Sequence, residues 1–586
     1  MLRGRASVPC AHSGVSPILS KVPRINSVER DEEMYERSNK MSRSATCMCL
    51  ILSLVPVGLI LLRFHEIIPL WDSAIYARCA LEIGHQSPVF PLARCGLGDP
   101  TVSYLTPLWF FSSIAGAGIP GLYLGNLLLF LIYLYAIVVI LRASILRNSA
   151  KFIDYFLPIA LFACDPLSVT YTLIITPDFG TTAFITAYIA AMLSGHFFIA
   201  MFFGLMTLFA KATALSLFGL LGSATLLYVS FKGAPSLRVA TRLLTTRFFM
   251  VTLVPLLAYW SSLYIFKIFP TSFDSQHLKG TCWSRPNNIF DLLFTFDFTS
   301  PAATNYLFNV FLLNFHWIES LLLPVCIGLG AYRIISRRAS LRADATRAMS
   351  FLAVGLLFLS IAVYATTRCL HFNNPRYILV TVPFFHLAFL YAIYFAGLSG
   401  RIRNSILALV ISLQVSSSLA TLDPVSKWFY GVIPFGDASL LAMTSRTGEC
   451  CGLGRDQLFY NTQALYIDEI TARIIKEIPA SPESPFVVDN QAMFSLLGRE
   501  TSNHVRCLSA YQKDCNNGTP LLSSNPFAPQ RMPLSFTYID YPFVPVPANR
   551  RDFAPRYELE GTTRFRSGQH FIDTYRYVLR APSSAQ

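Results

Sequence analysis

Four polar features of the sequence stand where apolar residues are expected. Asp72 follows the first long apolar segment, Asp178 lies in ITPDFG, Lys211 in LFAKATA, and Arg376-Tyr377 in HFNNPRY. An ionisable residue at the centre of a bilayer costs on the order of 3 kcal/mol, so such residues are functional candidates. A carboxylate can act as a general base, and Lys or Arg can neutralise a phosphate. We therefore interpret Asp72 as a catalytic carboxylate above a membrane-embedded cavity.

The stretch Pro69 to His85 is predicted to hold Asp72 at the head of a short amphipathic helix. Its alanines recur at helical spacing, and Arg78 and Glu82 form an i, i+4 pair. This pattern favours a helix that lies at the outer membrane surface.

Each polar feature also has a structural interpretation. Asp72 and Asp178 can cap the helices that follow them. Lys211 can extend its ammonium group to a lipid headgroup, and Arg376 can be an interface anchor. The four features are nevertheless all predicted to lie on the outer face of the membrane. Each follows an odd-numbered crossing, and odd-numbered crossings end outside.

The histidines and cysteines predict no metal site. His316 and His386 lie inside or near predicted spans, where packed or interfacial histidines are more common than catalysts. The 13 cysteines include no CxxC pair, and no Cys/His cluster has zinc spacing. Cys79 with Cys95, and Cys507 with Cys515, are candidate disulfides.

The composition is typical of a polytopic membrane protein. The chain has 586 residues, of which 53% are hydrophobic and 14% charged, with a mean hydropathy of +0.47. A soluble protein carries about 25% charged residues. Repeated apolar runs of about 20 residues predict about eleven transmembrane helices. They are Thr46–Leu62, Ile119–Leu141, Phe152–Ile174, Phe179–Leu193, Phe197–Ala210, Thr213–Ser230, Phe248–Ile268, Tyr306–Tyr332, Met349–Tyr364, Tyr377–Phe395 and Ile406–Leu422.

Three domains follow from this map. Residues 1–44 are predicted to be a disordered cytoplasmic tail, residues 45–422 an all-α transmembrane domain with an outer loop at 63–118, and residues 423–586 a small α/β extracytoplasmic domain. The last is predicted from an amphipathic helix at Gln463–Ile478 and strands at Pro485–Asp489 and Phe571–Leu579.

The charges of the predicted loops indicate how the protein is oriented in the membrane. The loops assigned to the cytoplasm contain 14 basic residues and a single acid, Asp344. Their basic residues are Arg142, Arg147, Lys151, Lys232, Arg238, Arg242, Arg247, Arg333, Arg337, Arg338, Arg342, Arg347, Arg401 and Arg403. The positive-inside rule then places the N-terminus in the cytoplasm and the C-terminal domain outside, and Ser103–Ala117 becomes a juxtamembrane or re-entrant helix. The net charge of +14 is thus a topology signal, and nucleic-acid binding is excluded.

The order of these features resembles that of a known family. An acid follows the first span in a D-x-x-x-Y-A-x-x-A context at Asp72, then come an outer Asp178, Lys211 and the Arg376-Tyr377 pair that opens a late span. This order is similar to the GT-C superfamily of membrane glycosyltransferases, in the branch that holds protein O-mannosyltransferases, lipid A aminoarabinose transferases and Rgt-like galacturonosyltransferases. The likeness covers roughly residues 45 to 400.

The resemblance implies a polyprenyl- or dolichyl-phosphate sugar as donor, a lipid, glycan or protein hydroxyl as acceptor, and a site on the outer or lumenal face. The membrane is then the bacterial inner membrane or the endoplasmic reticulum. Where the family often has Asp-Glu, this chain has Asp72-Ser73. Roles that need the second carboxylate, including metal binding, are therefore not carried over. No cofactor is assigned, and a divalent metal is left open.

The residue types suit that chemistry. Asp72 is expected to be the general base and Asp178 to orient the acceptor or a sugar hydroxyl. Lys211, Arg376 and Tyr377 are expected to bind the donor phosphate. In-line displacement would invert the anomeric centre. The sequence has no Gly-rich phosphate-binding loop followed by a helix, which disfavours a soluble nucleotide-sugar as the donor.

A polytopic transporter or lipid flippase is the alternative class, because charged residues beside a membrane cavity also mark transport paths. The sequence shows no paired halves with matched broken helices. A non-enzymatic assembly subunit is a third interpretation.

Overall fold

The computed structural model describes part of the chain: residues 43–64, 73, 76–77, 79–81, 101–146, 151–211, 213–232, 234, 236–266, 310–312, 316–337, 345–368, 378–419, 424–425, 428, 432–435, 438–441, 467–481, 483–489, 505–508, 533–541, 557–568 and 570–580.

Most of this part is helical up to residue 419. The helices are α1 (Arg43–Ser53), α2 (Val55–Phe64), α3 (Val102–Trp109), α4 (Gly118–Arg142), α5 (Phe152–Ala163), α6 (Pro166–Leu173), α7 (Pro177–Leu193), α8 (Phe197–Leu208), α9 (Ala214–Lys232), α10 (Leu237–Phe248), α11 (Val254–Phe266), α12 (His316–Arg337), α13 (Ala345–Arg368), α14 (Val382–Phe395) and α15 (Gly400–Leu419). One π-turn, Phe110–Ile114, follows α3, and another, Phe249–Leu253, joins α10 to α11.

Several of these helices can cross a membrane by length and composition. Pro120–Arg142, Ala214–Lys232 and Leu237–Ile265 qualify singly, and α5 with α6 qualifies as a pair bent by 57°. The count of about eleven spans stays a prediction, since several apolar helices among the described residues are shorter than a full crossing.

Helix α7 lies at the centre of the first half of the bundle. Every residue from Pro177 to Met192 is buried, as expected for a helix that is apolar on all sides. It packs against α3, α4, α8 and α9. Small residues permit these close approaches: a Cβ on Gly180 would meet the Tyr104 ring at 2.6 Å.

The predicted juxtamembrane segment is a short helix that folds back on α4. Helix α3 and its π-turn end at Ile114, and Gly116 and Gly118 take positive φ values in the reversal. Gly121 and Gly125 form a G-x-x-x-G pair on α4 that lets the backbones touch. A Cβ at Gly121 would meet the Phe111 carbonyl oxygen at 2.5 Å, and one at Gly125 would meet the Leu108 Cα at 2.7 Å.

Helix ends assigned to the cytoplasm contact one another. Arg142, at the end of α4, donates to the Thr46 hydroxyl near the start of α1. Arg403 in the first turn of α15 pairs with Asp154 in the first turn of α5 at 2.7 Å. Residues far apart in sequence thus meet at these helix ends, and the orientation of the helices in the membrane stays a prediction.

Two predicted spans differ from the described helices. The span Phe152–Ile174 is broken after Ala163, because Asp165 caps a new helix whose first residue is Pro166. The helix predicted to begin at Phe248 begins at Leu237, and its first part is an amphipathic helix with basic residues that were assigned to a loop. The span predicted from Tyr306 begins outside the described residues, and its long described helix begins at His316.

The described part of the C-terminal region contains an α/β unit, as predicted. Helix α16 (Ile467–Glu477) packs on a five-stranded sheet of order β4-β3-β5-β7-β6, in which β3, β4 and β5 are parallel and β6 and β7 antiparallel. The strands are β3 (Phe486–Asp489), β4 (Val505–Leu508), β5 (Ser535–Asp540), β6 (Tyr557–Ser567) and β7 (His570–Leu579), and a separate hairpin joins β1 (Val432–Phe435) to β2 (Ala438–Leu441).

Candidate active site

Two of the predicted site residues form a buried ion pair, here called the lysine pair. Lys211 Nζ lies 2.7 Å from Asp178 Oδ1, and the two side chains are 5% and 1% exposed. Asp178 lies in the first turn of α7, and Lys211 lies between α8 and α9. Helices α7 and α8 form an antiparallel hairpin through a short turn at 194–196, so the start of one meets the end of the other.

The start of α3 packs around the lysine pair. The Ser103 amide donates to the Phe209 carbonyl at 3.2 Å, and the Ser103 hydroxyl donates to the Met206 carbonyl at 2.6 Å. Met206 lies in the last turn of α8, and Phe209 is the C-cap residue of that helix. Tyr104 packs on Gly180, two residues after Asp178. The juxtamembrane helix therefore bridges the two chain segments that carry the ion pair.

A buried asparagine ties this arrangement to the bent span. The Tyr104 hydroxyl donates to Asn126 Oδ1 at 3.1 Å, and Asn126 Nδ2 donates to the Thr172 and Ile174 carbonyls at 3.3 and 3.2 Å. Asn126 is fully buried. Its bonds satisfy carbonyls at the end of α6 that have no helical partner there, and they fix the segment leading to Asp178.

Asp178 does not cap a helix and Lys211 does not extend to a lipid headgroup, which were the structural interpretations of these two residues. The N-cap of α7 is Thr176, no side chain caps the helix, and Asp178 points its carboxylate to Lys211 instead. The Lys211 ammonium is buried against that carboxylate, whereas an extended lysine at a headgroup would be exposed.

Asp72 lies outside the described residues, but part of the stretch that follows it is described. Ser73, Tyr76 and Ala80 are helical and buried. The Tyr76 ring lies 6.4 Å from the Tyr104 ring, edge to face. The Ser113 hydroxyl donates to the Ala80 carbonyl at 3.0 Å. The helix predicted to hold Asp72 is thus attached to the juxtamembrane helix that bridges the lysine pair.

Arg376 and Tyr377 also lie outside the described residues. Their neighbours, residues 378–381, form a buried turn that leads into α14. Cys79 is disulfide-bonded, while Cys95, its predicted partner, is not among the described residues. The structure therefore brings together Asp178 and Lys211 of the five predicted site residues.

Sequence reasoning missed a second buried polar group, here called the histidine cluster: Asp165, His316, Glu319, His386 and Gln414. Asp165 Oδ1 lies 3.2 Å from His316 Nε2 and 3.3 Å from His386 Nε2. His386 Nδ1 lies 2.8 Å from Glu319 Oε2, and Gln414 Nε2 donates to Glu319 Oε1 at 3.1 Å. All five side chains are at most 1% exposed.

The two histidines are buried, as predicted, but they are not packed as apolar residues. Four segments far apart in sequence, α6, α12, α14 and α15, supply the cluster. A signal was available, because Asp165, Glu319, His386 and Gln414 each lie inside a predicted span, where polar residues are costly. Also, His316 and Glu319 have the i, i+3 spacing that places both on one helix face.

The two sites differ in what they can do chemically. The lysine pair holds a cation at the end of two spans, where it can contribute to neutralising a negatively charged group. The histidine cluster brings three ligand-type atoms of Asp165, His316 and His386 within 4.8 Å of one another. Such a set can hold protons or a metal ion.

Comparison with known proteins gave matches among solved structures. No family model matches the chain, and no curated protein matches it in sequence. The structure resembles ArnT. The crystal structure of ArnT from Cupriavidus metallidurans bound to undecaprenyl phosphate is 12% identical, with a TM-score of 0.48, covering 90% of this chain and 97% of that chain. The apo state of the same ArnT gives 12% identity, the same coverage and a TM-score of 0.35.

Proposed function

We propose that the protein is an integral-membrane glycosyltransferase that moves a sugar from a polyprenyl- or dolichyl-phosphate donor to an acceptor hydroxyl on the outer or lumenal face. The observation that carries this proposal is the buried pair of Lys211 and Asp178, 2.7 Å apart, at the ends of two helices. The helix predicted to hold Asp72 is attached to the same juxtamembrane helix.

The roles follow from charge and position. The leaving phosphate gains negative charge as the glycosidic bond breaks, and a fixed cation stabilises it. Lys211 supplies such a charge, and Asp178 orients it by the ion pair. Arg376 and Tyr377 are proposed to bind the same phosphate, Arg376 by two parallel hydrogen bonds.

Asp72 is proposed to take the proton of the acceptor hydroxyl as that oxygen attacks the anomeric carbon. Attack from the face opposite the phosphate inverts the configuration. The carrier that such a donor releases, a polyprenyl phosphate, is of the same kind as the undecaprenyl phosphate bound in the ArnT structure. The acceptor is a lipid, a glycan or a protein.

The orientation is part of the proposal. Contacts between Arg142 and Thr46 and between Arg403 and Asp154 place the basic helix ends together, and the positive-inside rule puts that end in the cytoplasm. The lysine pair then faces the periplasm or the lumen, on the same side as the C-terminal domain.

Incubation of the purified protein in liposomes with a radiolabelled lipid-phosphate sugar tests the activity. We expect label to appear in a product in which the sugar-phosphate bond is broken. Movement of intact donor between leaflets without cleavage would instead support the flippase alternative and overturn the proposal.

Two arginine variants make the assay specific to the site. Arg376→Ala should weaken donor binding and slow transfer, because it removes a phosphate contact. Arg401→Ala is the matched control, since Arg401 is exposed at the start of α15 and should keep wild-type transfer. Equal transfer by both variants would remove Arg376 from the donor site.

A further inference from the structure

The histidine cluster has the arrangement of a metal site. His316 Nε2 and His386 Nε2 both lie beside the same carboxylate oxygen, Asp165 Oδ1, at 3.2 and 3.3 Å. Ligands at about 2.0–2.1 Å from a tetrahedral zinc ion are about 3.3 Å apart. The two distances from Asp165 Oδ1 thus match the spacing of neighbouring ligands, and all three ligand-type atoms lie within 4.8 Å of one another.

The opposite ring nitrogens fix how each imidazole is protonated. His316 Nδ1 lies 2.7 Å from the Val310 carbonyl oxygen, and His386 Nδ1 lies 2.8 Å from Glu319 Oε2. Both oxygens are acceptors, so both Nδ1 atoms carry hydrogen. In a neutral ring, Nε2 therefore carries a lone pair that faces the Asp165 carboxylate. The lone pair and the carboxylate oxygen repel each other unless a cation lies between them.

The surroundings match the outer sphere of a metal centre. Metal-binding histidines usually donate their second ring N–H to a carboxylate or a backbone carbonyl, which are the two acceptors present here. Asp165 Oδ2 accepts from the Ser168 amide at 2.7 Å, leaving Oδ1 for the histidines. His386 Nε2 has no hydrogen bond of good geometry among the described residues.

Charge balance is consistent with a divalent ion. Asp165 and Glu319 carry two negative charges, and all side chains of the cluster are buried. A buried charge must be compensated. Either one divalent metal with neutral imidazoles, or two imidazolium ions without metal, brings the cluster to zero.

We propose that Asp165, His316 and His386 bind a divalent transition-metal ion of the zinc type, with Glu319 and the Val310 carbonyl orienting the two imidazoles. Two nitrogen ligands favour such an ion over Mg²⁺ or Ca²⁺, which prefer oxygen. Because the ligands come from three separate segments, α6 with its cap, α12 and α14, the ion holds these helices together.

The test measures metal in the full-length protein, purified in lipid nanodiscs with a tag that contains no histidine. After loading with Zn²⁺ and desalting, mass spectrometry of the metal should give about one ion per chain. His386→Gln and His316→Gln should lose it. His196→Gln, which makes the same change at an exposed turn, should keep it.

Two measurements protect the test against misfolded variants. Zinc-edge X-ray absorption of the wild-type protein should show imidazole ligands. Glu319→Gln keeps all three ligands and should weaken zinc affinity about 10–100-fold. Folded wild-type protein without zinc, zinc retained in His386→Gln, or a zinc spectrum without imidazole would overturn the proposal, and the first outcome would leave the cluster as a protonated ion-pair network.

Discussion

The lysine pair and the histidine cluster are both built around an aspartate that flanks α6, yet they are balanced differently. Asp165 precedes this short helix and Asp178 follows it. Asp178 meets one ammonium group and the pair is neutral by itself. Asp165 and Glu319 meet two imidazoles, so their cluster is neutral only with two added positive charges.

The two sites also differ in where they lie and in which helices they connect. The lysine pair lies at helix ends that α3 joins, and Tyr104 of α3 also contacts Tyr76. The histidine cluster joins four helical segments from the inside of the bundle. Buried polar groups in membrane helices serve both purposes, as functional centres and as contacts between helices.

The largest expected effect concerns Asp72, whose proposed role is in bond formation rather than in holding helices together. Asp72→Asn keeps size and hydrogen bonding but removes basicity. Loss of a general base typically lowers the rate about 10²–10⁴-fold, or roughly 3–5 kcal/mol. Transfer rate and donor affinity of folded protein in lipid measure it. Glu483→Gln, at an exposed carboxylate, is the control, and near-wild-type transfer by Asp72→Asn would favour the helix-cap interpretation.

Next in size is the lysine pair. Lys211→Ala leaves Asp178 buried without its cation, and removal of one partner of such a pair costs about 3–5 kcal/mol. We expect both the free energy of unfolding and donor binding to fall. Lys476→Ala, at an exposed position of α16, should change neither.

The double variant Asp178→Asn/Lys211→Gln sharpens this result. Removing both charges should restore part of the stability, because no uncompensated charge remains, while transfer stays lost. Restored transfer in the double variant would show that the pair is structural, like the contacts of the histidine cluster.

A smaller effect is expected where α3 meets α4. Gly125→Ala places a Cβ 2.7 Å from the Leu108 Cα, and overpacking of this kind costs about 1–3 kcal/mol. The variant should slow transfer by displacing Ser103 and Tyr104, with zinc content unchanged. Gly219→Ala is the control, because nothing lies within 4 Å of its added Cβ. Equal thermal stability of the two variants would contradict the close contact.

The smallest effect tests whether the two sites are independent. The hydrogen bonds described for the lysine pair and for the histidine cluster share no residue. The changes in unfolding free energy of Asp178→Asn and His316→Gln should therefore add within about 0.3–0.5 kcal/mol. A larger coupling, measured by a double-mutant cycle in lipid, would show that α6 transmits strain between the sites.

Much of the helical layout follows from local sequence. Apolar runs predicted α4, α7, α8 and α9 to within a few residues, since the bilayer length and hydropathy dictate them. The pairing of Lys211 with Asp178 was partly predictable, because hairpin helices return the chain to the side on which it started.

The helix break at Asp165 was harder to predict, since an Asp-Pro cap competes with the apolar run around it. The role of the histidines was missed for another reason. These polar residues occur within apolar segments, and the sequence around each of them does not indicate which other residues it contacts. They are His316, Glu319, His386 and Gln414.

The sequence by itself determined the membrane class, and it predicted the inside-outside order of the loops and the residue types of the candidate active site. These are properties of composition and of position along the chain. Only the tertiary structure decided which buried polar groups share a site. Asp165, His316 and His386 are separated by up to 221 positions, and their contact depends on how helices pack, which is a non-local property of the fold.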